Sequence, residues 1–149
     1  MMINIISDTN FKAIVDYSLL KSAIALTLDS VNKAKVDLSL KITGDKELHQ
    51  LNKTYRHIDK PTDVLAFSQD YSDPETGRHY LGDIIISVEQ AQLQADENQQ
   101  SVNEACARLA IHGTLHLLGY DHAEPKDKAI MWDKQESLLT TVMASYLEE

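Results

Sequence analysis

A chain of 149 residues, 43% hydrophobic and 25% charged, is long enough to bury a substantial core and has the composition of one globular domain spanning residues 1–149. Its formal net charge of -9 argues against a broad electropositive surface, so any RNA or DNA site must be a local cluster of Lys and Arg. The apolar runs are too short to cross a bilayer, Met1 to Asn10 lacks the basic flank of a signal peptide, and the single Cys106 has no disulfide partner within the chain; together these point to a cytoplasmic protein with no membrane partner.

Met2 to Ile6 reads as a short strand. Phe11 to Val31 carries Phe11, Ile14, Val15, Leu19, Ala23 and Leu26 at helical spacing, which predicts one long amphipathic helix. Val36 to Ile42 alternates apolar and polar residues, the pattern of a strand with one buried face. Asp45 is placed to cap a helix that runs through Leu48 and Leu51 to about Tyr55. After the Pro61-Thr62-Asp63 turn, Val64 to Phe67 reads as a strand, and Ser72 to Gly77 as a polar loop. Gly82 to Val88 is nearly all apolar and predicts a central strand covered on both faces.

Glu89 to about Asn98 predicts a polar helix. Ser101-Val102-Asn103-Glu104 is a capping-box pattern that opens a very apolar helix from Val102 to Leu118. Pro125 suits the first turn of a last helix, with Met131, Leu138, Val142 and Tyr146 along one stripe. Strands and helices are intermixed without strict alternation. The expected class is α+β, a mixed sheet of about four strands packed with about five helices.

The chemistry concentrates in His112-Gly113-Thr114-Leu115-His116-Leu117-Leu118-Gly119-Tyr120-Asp121-His122. His112 and His116 are four apart and stack on one helical face. Gly119 lets the helix stop, so that His122 can turn back toward them. A lone histidine on such a helix reads as a satisfied core residue; three at this spacing read as the ligands of a catalytic zinc ion, one per chain, with a fourth position for water. The pattern overlays the extended metalloprotease motif, except that Gly113 stands where the catalytic Glu would be. The metal site survives without the peptidase base. A glycine inside a helix also suggests that something must approach the backbone closely or that a neighbouring element packs there.

The string from His112 to His122 resembles the signature of the YbeY family of bacterial endoribonucleases. Leu51 to Phe67 is similar to that family's central segment, and Leu81 to Ser87 to its following strand. The likeness covers nearly the whole chain and departs at Ala66-Phe67-Ser68, where the family has Ser-Phe-Pro, a difference that bears on the wall of the cleft. The resemblance implies a zincin-like fold and a zinc-dependent, single-strand-specific endoribonuclease acting on ribosomal RNA, maturing the 3′ end of 16S rRNA and serving ribosome quality control. It implies His112, His116 and His122 as metal ligands and His112 as part of the catalytic centre, Arg56 as the cleft arginine that holds the scissile phosphate, and small-subunit ribosomal proteins and the Era GTPase as partners. Without the resemblance, Arg56 reads as a solvated arginine at a helix end.

Two alternatives stand beside this reading: a metal-dependent hydrolase of another substrate class, and a non-catalytic ribosome assembly factor with a structural metal. Asp63 and Asp83 read as turn or cap residues, and Asp121 as a turn residue or as an acceptor behind the metal ligands. His49, His57 and His79 lack metal spacing and are expected at the surface. Cys106 reads as packing, and Trp132 and the tyrosines as core and rim. No residue stands out as a general base.

Overall fold

A computed structural model of the chain describes residues 1–11, 14–33 and 35–148. Four strands, β1 (Met2–Ser7), β2 (Val36–Thr43), β3 (Val64–Ser72) and β4 (His79–Ser87), form one mixed sheet in the order β1-β2-β4-β3. β1, β2 and β4 run parallel and β3 pairs antiparallel to β4. Five helices accompany them: α1 (Tyr17–Asp29), α2 (Asp45–Arg56), α3 (Val88–Asn98), α4 (Val102–Leu117) and α5 (Pro125–Leu147). The α+β class with a mixed sheet is the one read from the sequence.

Alternation decides which face each strand buries. In β2, Val36, Leu38, Leu40 and Ile42 are buried and the residues between them are half-exposed. In the interior strand β4, Ile84 and Ile86 enter the main core with α1 and α4, while Ile85 points to the other face. There it meets Leu65 of β3, its cross-strand partner, and Leu48 of α2. β4 is therefore covered on both faces, as its apolar run requires. α4 is buried nearly all round, from Ala105 to Leu117. No helix among the described residues is long and apolar enough to cross a membrane.

Several boundaries differ from the sequence reading. α1 begins at Tyr17, because Asp16 caps it by accepting the backbone N–H of Ser18 at 2.9 Å. Phe11 closes a single 3-10 turn, and positions 12 and 13 of the expected helix lie outside the described residues. The cap of α2 is Gly44, and Asp45 is its first helical residue. The Asp45 carboxylate instead accepts Ser87 Oγ at 2.7 Å and Gln90 Nε2 at 3.1 Å, which ties α2 to the start of α3. Ser87 caps α3, so Val88 opens that helix rather than ending β4. β3 extends to Ser72 and β4 begins at His79, across a register shift between Ser68 and Tyr71 with Asp70 at φ 49°. Hairpin pairing carries these polar residues, which their hydropathy alone does not mark as strand.

Candidate metal centre

The centre is built on the C-terminal half of α4. Ser101 caps the helix by accepting the N–H of Glu104 at 3.1 Å, as the capping-box pattern anticipates. Packing against the sheet is closest at Gly113: a Cβ there would stand 2.6 Å from Ile84 Cγ2. Any side chain there would have to displace Ile84, and the glutamate of a metallopeptidase would do so more than an alanine. The glycine's role is close approach of α4 to β4.

α4 ends in a Schellman motif. Tyr120 N–H donates to Leu115 O and Gly119 N–H to His116 O, both at 3.0 Å, with Gly119 at φ 100°. The chain reverses, and Asp121 Oδ1 accepts the backbone N–H of His122 at 2.7 Å and of Ala123 at 3.2 Å. Asp121 is thus a turn residue, and that turn brings His122 over the other two rings.

The His112 and His116 ring centroids are 4.7 Å apart, His116 and His122 4.9 Å, and His112 and His122 5.8 Å. The candidate ligand atoms of all three lie within 4.8 Å of one another. Zinc–nitrogen bonds of about 2.0–2.1 Å place tetrahedral donors about 3.4 Å apart. One ion can therefore be reached by all three after small ring movements, the easiest belonging to the exposed, loop-borne His122. Burial lowers the affinity of His112 for protons, and pushes His116 down to about 4 with help from its two neighbouring imidazoles. Both rings are held in the neutral form that donates a lone pair to a metal.

Behind His112 stands a residue that sequence reasoning missed. Gln135 of α5, only 3% exposed, has Oε1 2.7 Å from His112 Nδ1 and donates from Nε2 to Glu136 Oε2 at 3.1 Å. Glu136 accepts only, so the amide's N–H side must face it, Oε1 faces His112, and Nδ1 carries the proton. That leaves the Nε2 lone pair for the metal, the arrangement typical of ligating histidines. Glu136 is itself held by Arg108 through two bonds of 3.0 and 3.1 Å. No local pattern in the sequence marks Gln135; a polar residue between Met131 and Leu138 on a buried stripe is the only hint.

The histidines open onto a cavity of about 560 Å³ whose walls include Arg56, Lys60, Asp63, Ala66, Ser68 and Asp121. Arg56 is the last residue of α2. The helix stops there because His57 is left-handed at φ 60° and donates to Asn52 O. The buried Asn52 also donates from Nδ2 to Lys60 O at 2.9 Å, which folds the following loop against the cleft. Arg56 and the three histidines line the same cavity, and the charge of Arg56 disfavours protonation of His116. Asp63, read from the sequence as a turn residue, lines the same wall and accepts Gln94 Nε2 at 2.8 Å, and its charge favours protonation of His112. Ala66 and Ser68, where the chain departs from the family pattern, lie in this wall.

The other singled-out residues lie elsewhere. His49 is paired with Asp59 at 2.7 Å and His79 with Asp70 at 2.6 Å, on the surface. His57 is exposed and serves as the α2 cap. Asp83 is bound by Tyr80 and Gln69. Cys106 is 0% exposed, and burial pushes its thiol up to about 12, so it packs and does not react.

The model of the family described as endoribonuclease YbeY matches residues 4–143. The chain belongs to the YbeY family. It is 43% identical over 135 residues to endoribonuclease YbeY of Roseiflexus castenholzii, covering 87% of this chain and 85% of that one. Its identity to endoribonuclease YbeY of Dehalococcoides mccartyi strain CBDB1 is 40% over 149 aligned positions, covering 91% and 90%. Among solved structures it resembles the solution structure of TM1509 from Thermotoga maritima, with a TM-score of 0.65 and 26% identity over 99% of this chain and 93% of that one. The YbeY relatives are thus spanned nearly end to end.

Proposed function

We propose that the chain is a zinc-dependent endoribonuclease of the cytoplasm that cleaves single-stranded ribosomal RNA, with maturation of the 16S rRNA 3′ end and ribosome quality control as its setting. The observation that carries this reading is the convergence of three histidines at the mouth of a cavity walled by Arg56. His112, His116 and His122 would hold the ion; when bound, zinc supplies an acidified water and a Lewis acid for a phosphoryl oxygen. Arg56 clamps the scissile phosphate with its planar fork, which sets orientation and offsets charge as it develops. Asp121 and Gln135 keep the ligand rings in place. No side chain is assigned as general base. Small-subunit ribosomal proteins and the Era GTPase are proposed partners on the family resemblance.

Gly113 argues against the peptidase alternative, because it stands where the catalytic glutamate would be and a Cβ there would meet Ile84. The assembly-factor alternative, in which the metal only staples the fold, is tested together with the main proposal. Metal content and cleavage of ribosomal RNA are measured for the wild type, His116→Ala and Arg56→Glu. His116→Ala is expected to lose zinc and activity together. Arg56→Glu is expected to keep zinc and lose cleavage by at least 100-fold, on the order of removing one transition-state donor. A metal-free His116→Ala that supports normal ribosome maturation would instead overturn the catalytic reading. Product ends report the nucleophile: a 2′,3′-cyclic phosphate marks attack by the RNA 2′-hydroxyl, and a 5′-phosphate with a 3′-hydroxyl marks water.

A further inference from the structure

The three histidines stand between two cavities. The first is the Arg56 cleft of about 560 Å³; the second, of about 570 Å³, opens on the α5 side. Asp63, His112 and His122 line both, so the metal centre is the ridge where the two meet. A polymer whose phosphate rests on that ridge has neighbours on each side, and the two cavities lie on either side of it.

The second cavity has the equipment for a nucleotide. Trp132 lines it and is 55% exposed, although Met131 beside it supplies the buried apolar contact of that turn at 2%. The indole is therefore surplus to the core, on a helix whose geometry is rigid. Gln135, which touches His112, is three residues further along α5 and so about 4.5 Å away along the axis. Lys128 lies one turn before Trp132, about 6 Å along the axis in the opposite direction. The two cations of this cavity differ. Arg108 is taken up by Glu136 and Gln100, whereas Lys128 makes no ion pair among the described residues. The amides of Gln94 and Asn98 complete a polar wall. An exposed indole, an unpaired ammonium and amides around a metal-site ridge match a base with its phosphate better than an apolar peptide segment.

We infer that the second cavity is a nucleotide subsite of the same centre, in which Trp132 stacks a base adjoining the scissile phosphate and Lys128 holds a flanking phosphate. The inference rests on the endoribonuclease reading above. Stacking on an indole is tolerant of base identity, so the subsite adds affinity and sets the path of the strand without reading sequence.

Trp132 is the one tryptophan in the chain, and its emission reports on this cavity alone. The zinc-loaded full chain is mixed with short single-stranded RNA in a stopped-flow fluorimeter and read before turnover. Saturable quenching of indole emission is expected. Trp132→Leu should raise KM for RNA about tenfold or more, with zinc content and helical circular dichroism unchanged, and Trp132→Phe should recover most of the loss. Lys128→Ala should weaken binding and reduce the dependence of log affinity on log salt by about 0.7. Unchanged emission at saturating RNA, or a Trp132→Leu variant with wild-type KM, overturns the subsite. Quenching by an unstructured peptide and not by RNA overturns it in favour of a protein-docking cavity. A wild type that cleaves RNA while Trp132 stays silent defeats this inference alone; one that neither binds nor cleaves RNA defeats the endoribonuclease reading with it.

Discussion

Two residues shape the candidate metal centre, Gln135 behind His112 and Gly113 where α4 meets the sheet, and the sequence marks only one of them. His112 is fixed by Gln135 through an amide whose orientation is set by Glu136. Gln135→Leu should lower zinc affinity by about 10–100-fold in a chelator competition, because the imidazole loses the acceptor that fixes its tautomer. Gln135→Glu keeps an acceptor for Nδ1 but sets a carboxylate against Glu136, so it should recover only part of that affinity. Gly113 is visible in the sequence as a glycine inside a helix, and the structure supplies the reason in Ile84. In Gly113→Ala, overpacking of about 1–3 kcal/mol outweighs the gain in helix propensity of about 1 kcal/mol. The variant should therefore unfold at a lower temperature than the wild type. In an Ile84→Ala background the same substitution should be neutral or stabilising, and equal loss in both backgrounds would remove the steric explanation. The spacing of the three histidines was legible because helical periodicity is a local property. Gln135 was not, because its contact spans 23 residues and depends on how α5 docks on α4.

At the level of elements, the sequence located the five α-helices of the described residues but overran the start of α1. Phe11 and Val15 are buried or half-buried as that pattern demands, yet Phe11 gets there through a 3-10 turn. Asp16 then stops the pattern from being one helix: its side chain caps Ser18, its N–H donates to Asn103 Oδ1 of α4 at 2.8 Å, and Tyr146 of α5 donates to its carboxylate at 3.0 Å. One residue thus joins three helices. Asp16→Ala should cost about 1 kcal/mol of stability, the usual loss of a helix cap. The hydrogen bonds from Ser18 and Tyr146 hold the Asp16 carboxyl below its ordinary value of 3.8. A carboxyl whose folded value is depressed stabilises fully above 3.8 and loses that contribution as pH falls through the folded value. The difference between wild type and Asp16→Ala in acid unfolding should therefore be constant near neutrality and shrink below pH 3.8. A gap that widens in acid would contradict the assignment of the charged form as the capping species.

For the molecule as a whole, the difficulty is a net charge of -9 on a protein that belongs to a family of RNA-cleaving enzymes. The two cavities resolve part of it by gathering Arg56, Lys60 and Lys128 around the histidines, none of them in an ion pair among the described residues. Three phosphate contacts to a single strand give a slope of log affinity against log salt of about -2. A titration from low to physiological salt should find that shallow value, and a slope several times steeper would mean that basic groups beyond the two cavities take part. The amino-acid sequence by itself determined which elements form, the mixed α+β class, the spacing of three histidines across a helix end at Gly119, and the missing peptidase glutamate. These are properties of spacing along the chain, and spacing survives without a fold. The family resemblance named Arg56, and the tertiary structure brings it to the histidines' cavity from the end of α2; only the tertiary structure decided the other neighbours, Asp63 from the entry to β3 and Gln135 and Trp132 from α5. Those meetings depend on how the sheet orders its strands and how α5 lies across α4, and such long-range packing is set by the whole core at once.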